Sequence, residues 1–108
     1  MPKYRALIKK VYDGDTITAD IELGFGVFLT KQKLRLSRVR APEVRGPQRP
    51  CGLITRDALR EKILNQWVDV VTDSFKKGKY GRWLVEIYYD DLCVNDWLLE
   101  SGLAEKYE

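Results

Sequence analysis

The chain has 108 residues, 44% of them hydrophobic and 32% charged, which predicts one globular domain over residues 1–108 with a modest core. This composition excludes a disordered protein, and no apolar run approaches the roughly 18 residues that a membrane-spanning helix needs. Histidine is absent, so an imidazole-dependent catalytic triad is excluded and any acid–base chemistry falls to carboxylates.

Three runs that alternate between apolar and polar residues fill the first part of the chain, and they predict β-strands over residues 4–12, 16–23 and 27–38. The first two runs are separated by Asp13-Gly14-Asp15, and Asp-Gly between alternating segments is a strong signal for a tight hairpin turn. In the third run the apolar positions change parity between its two halves. This change predicts a bulge or sharp bend near residues 30–33.

Three prolines and two glycines predict an irregular loop over residues 39–52. Beyond it the sequence predicts a helix over 53–66, a strand over 67–72, a basic loop over 74–81, a strand over 82–89 and a short helix ending at Glu100. Asn95 is the predicted N-cap of that last helix, because its side chain can accept a hydrogen bond from a first-turn N–H. Five strands with two helices predict a small closed β-barrel with helices, α+β by content, rather than a doubly wound sheet.

The two cysteines, Cys51 and Cys93, have no paired spacing and are predicted to be free thiols without a metal role. The sequence opens without an apolar leader segment, so we expect a cytoplasmic protein. We also expect a monomer that does not associate with membranes.

Positive charge is concentrated in residues 31–49, which contain seven basic residues and one acid, Glu43, and so carry +6 in a chain whose total is +3. Such a field attracts an anion, and a phosphodiester is the usual candidate. A guanidinium group suits this partner because it stays charged and offers paired donors to two phosphate oxygens. Glu43 could accept a proton from an attacking water, or it could simply balance the neighbouring arginines.

Five short motifs resemble those of the staphylococcal nuclease (thermonuclease) family, in the family's order and spacing. They are Asp13-Gly14-Asp15-Thr16, Arg35-Leu36, Ala41-Pro42-Glu43, Lys79-Tyr80-Gly81-Arg82, and the segment from Val94-Asn95 to Gly102-Leu103-Ala104. Each motif alone is weak, but together they cover nearly the whole chain. The resemblance implies a five-stranded OB-fold barrel and calcium-dependent hydrolysis of DNA or RNA phosphodiesters, with single strands favoured.

The resemblance also implies roles for particular residues. Arg35, Glu43 and Arg82 take the positions of the family's catalytic residues, Asp15 that of a calcium ligand, and Lys79 and Tyr80 those of substrate-binding residues. Arg40 stands where the family has a second calcium-binding aspartate, and an arginine supplies no oxygen ligand and repels the ion. Arg40 could therefore bind substrate phosphate beside a weakened or lost calcium site, or it could mark a non-catalytic nucleic-acid- or protein-binding module.

Overall fold

The computed structural model of the protein describes residues 3–77 and 82–107, with side chains described over 3–72 and 82–107. Its strands are β1 (Lys3–Val11), β2 (Thr16–Gly24), β3 (Val27–Leu36), β4 (Val39–Arg40), β5 (Trp67–Lys77), β6 (Trp83–Tyr89), β7 (Leu92–Cys93) and β8 (Glu105–Lys106). Its helices are α1 (Arg49–Ile63) and α2 (Val94–Glu100), and a short 3-10 turn (Gly46–Gln48) precedes α1. No helix within the described ranges is long and apolar enough to cross a membrane.

Five strands form a closed barrel in the order β3-β2-β1-β5-β6, and β3 pairs with β6 to close it. That closing pair is parallel and joins Leu34–Leu36 to Trp83–Val85, whereas the other neighbours are antiparallel. This arrangement confirms the predicted five-stranded OB-fold barrel with two helices. Outside the barrel, β7 extends the sheet beside β6, and β4 pairs with β8 as a separate ribbon.

The barrel interior is filled by apolar side chains that alternate along the strands. Ile8, Ile17 and Leu34 are fully buried, and burying a side chain of this size stabilises the fold by about 1.5–3 kcal/mol. The helices add further buried side chains to the same core: Leu59 and Ile63 from α1, and Val94 and Leu98 from α2. The two helices therefore complete the core of the barrel.

A bulge in β3 decides which of its side chains face the core. Between residues 29 and 32 this strand contains one residue more than the segment of β2 that pairs with it. The bulge confirms the bend that was predicted near residues 30–33. Because the extra residue reverses the alternation, Leu34 and Leu36 are buried in the core while Arg35 between them points to the outer face.

Helix α1 begins at Arg49 and ends at Ile63, so both predicted ends, at residues 53 and 66, are wrong. Pro50 was expected to exclude regular structure. It lies instead in the first turn of the helix, where a proline loses no helical hydrogen bond because the first N–H groups have no helical partner.

Strand β5 is longer than the sequence predicts. It continues to Lys77, so the basic loop predicted over 74–81 is wrong for its first residues. The remaining part of that loop, residues 78–81, lies outside the described part of the chain.

Asn95 is a buried residue rather than the predicted helix cap, because Cys93 holds the N-cap position of α2. Its Oδ1 accepts a hydrogen bond from the Ile87 N–H at 3.0 Å. Its Nδ2 donates to the carbonyl oxygens of Ser37 at 2.9 Å and Val85 at 3.1 Å. One amide group thus ties α2 to β6 and to the turn that follows β3.

Candidate active site

One cavity of about 370 Å³ gathers most of the residues that the sequence predicts to be functional. It is lined by Asp13, Asp15, Thr16, Arg35, Arg40, Ala41, Glu43, Gln48, Arg82 and Tyr107. The predicted catalytic residues, the predicted calcium ligand and Arg40 are therefore all brought together. The two remaining predicted residues, Lys79 and Tyr80, lie outside the part of the chain that the structure describes.

The barrel strands bring the two candidate arginines to this cavity from distant parts of the chain. Arg35 lies near the end of β3 and pairs across the sheet with Thr16, the first residue of β2. Arg82 directly precedes β6, whose first residue, Trp83, pairs with Leu34 at the parallel closure of the barrel. Closing the barrel therefore places the two arginines beside each other.

The carboxylate of Asp15 is buried and interacts with both arginines, with Arg35 directly and with Arg82 through Thr16. Its Oδ2 lies 3.4 Å from Nη1 of Arg35 and accepts a hydrogen bond from the N–H of Ala41 at 2.9 Å. Its Oδ1 accepts a hydrogen bond from the hydroxyl of Thr16 at 3.1 Å. The same hydroxyl oxygen accepts a bond from Nη1 of Arg82 at 3.1 Å. Asp15 thus orients one guanidinium directly and the other through Thr16.

Further contacts fix the Arg35 guanidinium. Its Nη1 donates to the carbonyl oxygens of Leu36 and Val39, each at 2.9 Å. The ring of Tyr107 lies 5.7 Å from the guanidinium carbon, within the range of a cation–π interaction. Since these partners lie in β3, in β4 and after β8, Arg35 also ties the β4–β8 ribbon to the barrel.

Glu43 lies in the loop between β4 and α1, and its side chain is exposed. Its backbone N–H donates to Oε1 of Gln48 at 3.1 Å. Gly52 in α1 is packed so closely that a methyl group there would overlap the Glu43 carbonyl oxygen. The loop is thus anchored through its backbone, and no group in the described ranges donates a hydrogen bond to the Glu43 carboxylate. That carboxylate can accept a proton from a water molecule in the cavity.

Asp13 occupies the hairpin turn before β2. Its Oδ1 accepts a hydrogen bond from the Asp15 N–H at 3.0 Å, as in turns stabilised by an aspartate side chain. Burial, a hydrogen bond between the Asp13 and Asp15 side chains and the negative charge of Asp15 raise the pKa of Asp13 to about 6, against the opposite effect of the bond from the Asp15 N–H. A carboxyl group with a raised pKa in a cleft is typical of functional sites, although ion-pair networks produce such shifts as well.

The chain is similar in sequence to known proteins of one family. The sequence profile of the family described as "Staphylococcal nuclease homologue" matches residues 33–108. The chain belongs to this family. It is 33% identical over 101 residues to the "Thermonuclease" of Staphylococcus intermedius, and these residues make up 91% of this chain and 56% of that protein. It is 32% identical over 98 residues to the "Thermonuclease" of Staphylococcus hyicus, covering 88% and 54%. The chain thus spans about half the length of these relatives.

The calcium ion implied by the resemblance to the staphylococcal nuclease family does not fit the donors of this cavity. Calcium takes six to eight oxygen ligands, several of them from carboxylates. Here Arg40 contributes a cation in place of an oxygen ligand, and the Asp15 carboxylate already lies 3.4 Å from the Arg35 guanidinium. Within the described residues, no group of three or more acidic, cysteine or histidine side chains could hold a metal ion.

Five of the ten cavity residues were not predicted from the sequence to be functional: Asp13, Thr16, Ala41, Gln48 and Tyr107. Thr16 belongs to the Asp-Gly-Asp-Thr motif, so the motif itself carried the signal. Tyr107 reaches the cavity through the two-residue pairing of β4 with β8, and elements this short leave no periodic pattern in a sequence. Gln48 acts through its contact with the Glu43 backbone and likewise has no sequence signature.

Proposed function

We propose that this domain is a nuclease that hydrolyses phosphodiester bonds of DNA or RNA, with Arg35 and Arg82 binding the phosphate and Glu43 activating the attacking water. The observation that carries the proposal is the hydrogen-bonded pair of Asp15 and Thr16, which contacts both arginines: Asp15 contacts Arg35, and Thr16 accepts a hydrogen bond from Arg82. Glu43 lines the same cavity. Membership of the staphylococcal nuclease homologue family supports the same class of reaction.

The chemistry needs a proton acceptor and concentrated positive charge. The Glu43 carboxylate takes a proton from a water molecule, the water oxygen forms a bond to phosphorus, and the bond from phosphorus to the leaving oxygen breaks. Solvent supplies the proton that the leaving oxygen takes up. The charge on the phosphate oxygens grows during attack, and Arg35 and Arg82 stabilise it because their donors are oriented before the substrate arrives.

Arg40 has a binding role in this proposal. It lines the same cavity as the other two arginines and is exposed to solvent. A third cation attracts the anionic strand and partly offsets the three carboxylates of Asp13, Asp15 and Glu43. No step is assigned to calcium, because the donors of this chain do not fit it.

Cleavage of a single-stranded oligonucleotide tests the proposal. Wild type, Glu43→Gln and the control Glu61→Gln, at an exposed position of α1, are compared with added calcium and with EDTA. We expect Glu43→Gln to lower the cleavage rate by about 10²–10⁴-fold, as for loss of a general base, while the control cuts like wild type. Equal rates for Glu43→Gln and Glu61→Gln would remove Glu43 from the mechanism.

A second candidate function is nucleic-acid or protein binding without hydrolysis. Arg40 and the poor fit of calcium favour it, because a domain that only binds can replace a metal ligand with a cation. If wild type and Glu43→Gln bind the oligonucleotide equally and neither cuts it under either condition, the binding module is the correct function.

A further inference from the structure

A second cavity, of about 480 Å³, adjoins the candidate active cavity and shares Thr16 and Arg82 with it. Its other lining residues are Lys10, Tyr12, Thr18, Lys33 and Arg45. Among the described residues that line it, four carry positive charge, three carry hydroxyl groups and none is a carboxylate. This second cavity therefore differs from the active cavity, whose acids balance its arginines, and it favours an anion more strongly.

We propose that this second cavity is a subsite for the phosphate that follows or precedes the scissile one, so that the domain holds a single-stranded nucleic acid across two consecutive phosphates. The inference rests on the proposed function, which places the scissile phosphate at Arg35 and Arg82. We call the cavity lined by Lys10, Thr18 and Lys33 the flanking-phosphate subsite.

The register of the barrel strands gives this subsite its position. Lys10 of β1 pairs with Thr18 of β2, and Thr18 pairs with Lys33 of β3, so the three residues form one row across three strands. The next row on the same face of the sheet, two residues along the strands, contains Thr16 and Arg35 at the active cavity. Two residues along a strand span about 6.6–6.8 Å, which is comparable to the separation of successive phosphates in an extended single strand. The two rows are therefore spaced for consecutive phosphates.

A bulge in β1 turns Lys10 toward this row. Ala6 and Ile8 are buried, and strict alternation would direct Lys10 into the core as well. Between Ile8 and Lys10, however, β1 contains one residue more than β2, and that residue is Lys9. Val11 is buried as a result, and Lys10 is exposed. The irregularity thus keeps a cation out of the core and places it in the subsite.

The charges of the subsite are available to a ligand. Exposed lysines usually serve only as a solvated surface, but Lys10 and Lys33 share one concave site and form no ion pair within the described ranges. Arg45 is held beside them by a hydrogen bond from its Nη2 to the Tyr12 hydroxyl at 2.8 Å. Tyr12 is 41% exposed, so a base of the bound strand can stack on its ring.

The salt dependence of binding tests the subsite. Affinity for a fluorescein-labelled oligothymidylate is measured by anisotropy in EDTA at a series of NaCl concentrations. The test variant is Lys10→Ala/Lys33→Ala, and the control is Lys9→Ala/Lys31→Ala, which removes the same charge from exposed positions of the same two strands outside the cavity. For single strands the slope of log K against log salt changes by about 0.7 for each phosphate that is neutralised.

We expect the test variant to lose about 0.7 of this slope and to bind several-fold more weakly at low salt, while the control keeps the wild-type slope. Equal slopes for the two double variants would overturn the subsite. Cleavage is recorded separately, so the two hypotheses fail in different ways. If the protein shows the slope difference but cuts no oligonucleotide, the proposed hydrolysis is wrong and the subsite is supported. If the protein cuts the oligonucleotide but the slopes are equal, hydrolysis is supported and the subsite is wrong.

Discussion

Asp15 accepts a hydrogen bond from the backbone N–H of Ala41 at 2.9 Å, which joins the first hairpin to the loop that carries Glu43. Asp15→Ala leaves this buried N–H without its acceptor, so we expect the free energy of unfolding to fall by about 1–3 kcal/mol. Asp15→Asn keeps one acceptor oxygen and should lose less. Urea unfolding followed by tryptophan fluorescence measures both, and an Asp15→Ala variant as stable as wild type would contradict this role.

Gly52 allows α1 to pack against the loop that carries Glu43. In an unhindered helix position, replacing Gly with Ala stabilises by about 1 kcal/mol. At Gly52 the added methyl group overlaps the Glu43 carbonyl oxygen, and because that atom belongs to the backbone the loop must move. We therefore expect Gly52→Ala to lower both the unfolding free energy and the cleavage rate.

The control for this variant is Glu61→Ala, at an exposed position of the same helix, where only helix propensity changes. Thermal unfolding and the cleavage assay are run on both variants. A Gly52→Ala protein that is more stable than wild type would show that the loop tolerates the methyl group.

Asn95 satisfies three backbone groups with one buried amide, and Asn95→Ala leaves all of them without this partner. The Val85 carbonyl oxygen keeps the hydrogen bond from the Ser37 N–H at 2.9 Å. The Ile87 N–H and the Ser37 carbonyl oxygen lose this partner at a cost of about 1–3 kcal/mol each, so we expect a total loss of at least about 2 kcal/mol. Asn95→Asp keeps the acceptor for Ile87 but sets an oxygen against two carbonyl groups, and it should be destabilised similarly. Chemical denaturation measures both losses; a decrease below about 1 kcal/mol for Asn95→Ala would disprove the role.

The raised pKa of Asp13 makes stability depend on pH in a defined direction. The folded pKa of about 6 lies above the ordinary value near 3.9, so the folded state binds the proton more tightly than the unfolded state. This contribution to stability is fully present below about pH 4 and is lost as the pH rises to about 6. Asp13→Asn does not titrate, and its stability relative to wild type should therefore increase over this range.

Urea midpoints of wild type and Asp13→Asn, measured between pH 4 and pH 7 in EDTA, check this dependence. Asparagine can still accept the hydrogen bond from the Asp15 N–H, so the turn itself should be kept. A difference in midpoint that stays constant across the range would mean that Asp13 titrates normally.

The positive charge of Arg40 repels calcium, so we expect Arg40→Asp to bind calcium more tightly. The substitution removes a repelling charge and adds a carboxylate to a cavity that already contains those of Asp13, Asp15 and Glu43. Calorimetric titration with calcium chloride should show tighter binding to Arg40→Asp than to Arg40→Gln, which loses the charge but gains no carboxylate. Equal affinity of the two variants would place any calcium site elsewhere.

The barrel could be predicted from the sequence because its strands carry clear alternation and its first turn carries Asp-Gly. The first residue of α1 could not be predicted, because a proline breaks a helix interior but is tolerated in a first turn, and the local sequence does not distinguish these two cases at Pro50. The helix begins at Arg49 in the structure, where Gly52 packs against the loop that carries Glu43. The burial of Asn95 also escaped prediction. Its partners in β6 and after β3 are set by tertiary structure, and local sequence favours a capping role equally well.

The positions of Arg35, Glu43 and Arg82 were predictable only through the motifs, since they are far apart in the chain and no local pattern shows that they meet. Asp15 was predicted as a metal ligand. In the structure its carboxylate contacts Arg35 directly and accepts a hydrogen bond from Thr16, whose hydroxyl oxygen accepts one from Arg82. Tyr107 depends on a two-residue strand pairing. Lys10 depends on a bulge that reverses the expected side of the strand, a feature that alternation alone cannot reveal.

The parallel pairing of Leu34–Leu36 with Trp83–Val85 is short and joins two segments that lie far apart in the sequence. Arg35 lies within this seam and Arg82 directly beside it. Closing such a long loop costs chain entropy that only the finished barrel repays. The protein therefore cannot present both guanidinium groups to one phosphate before β3 and β6 have paired. A partly folded chain has the charges of the site without its geometry.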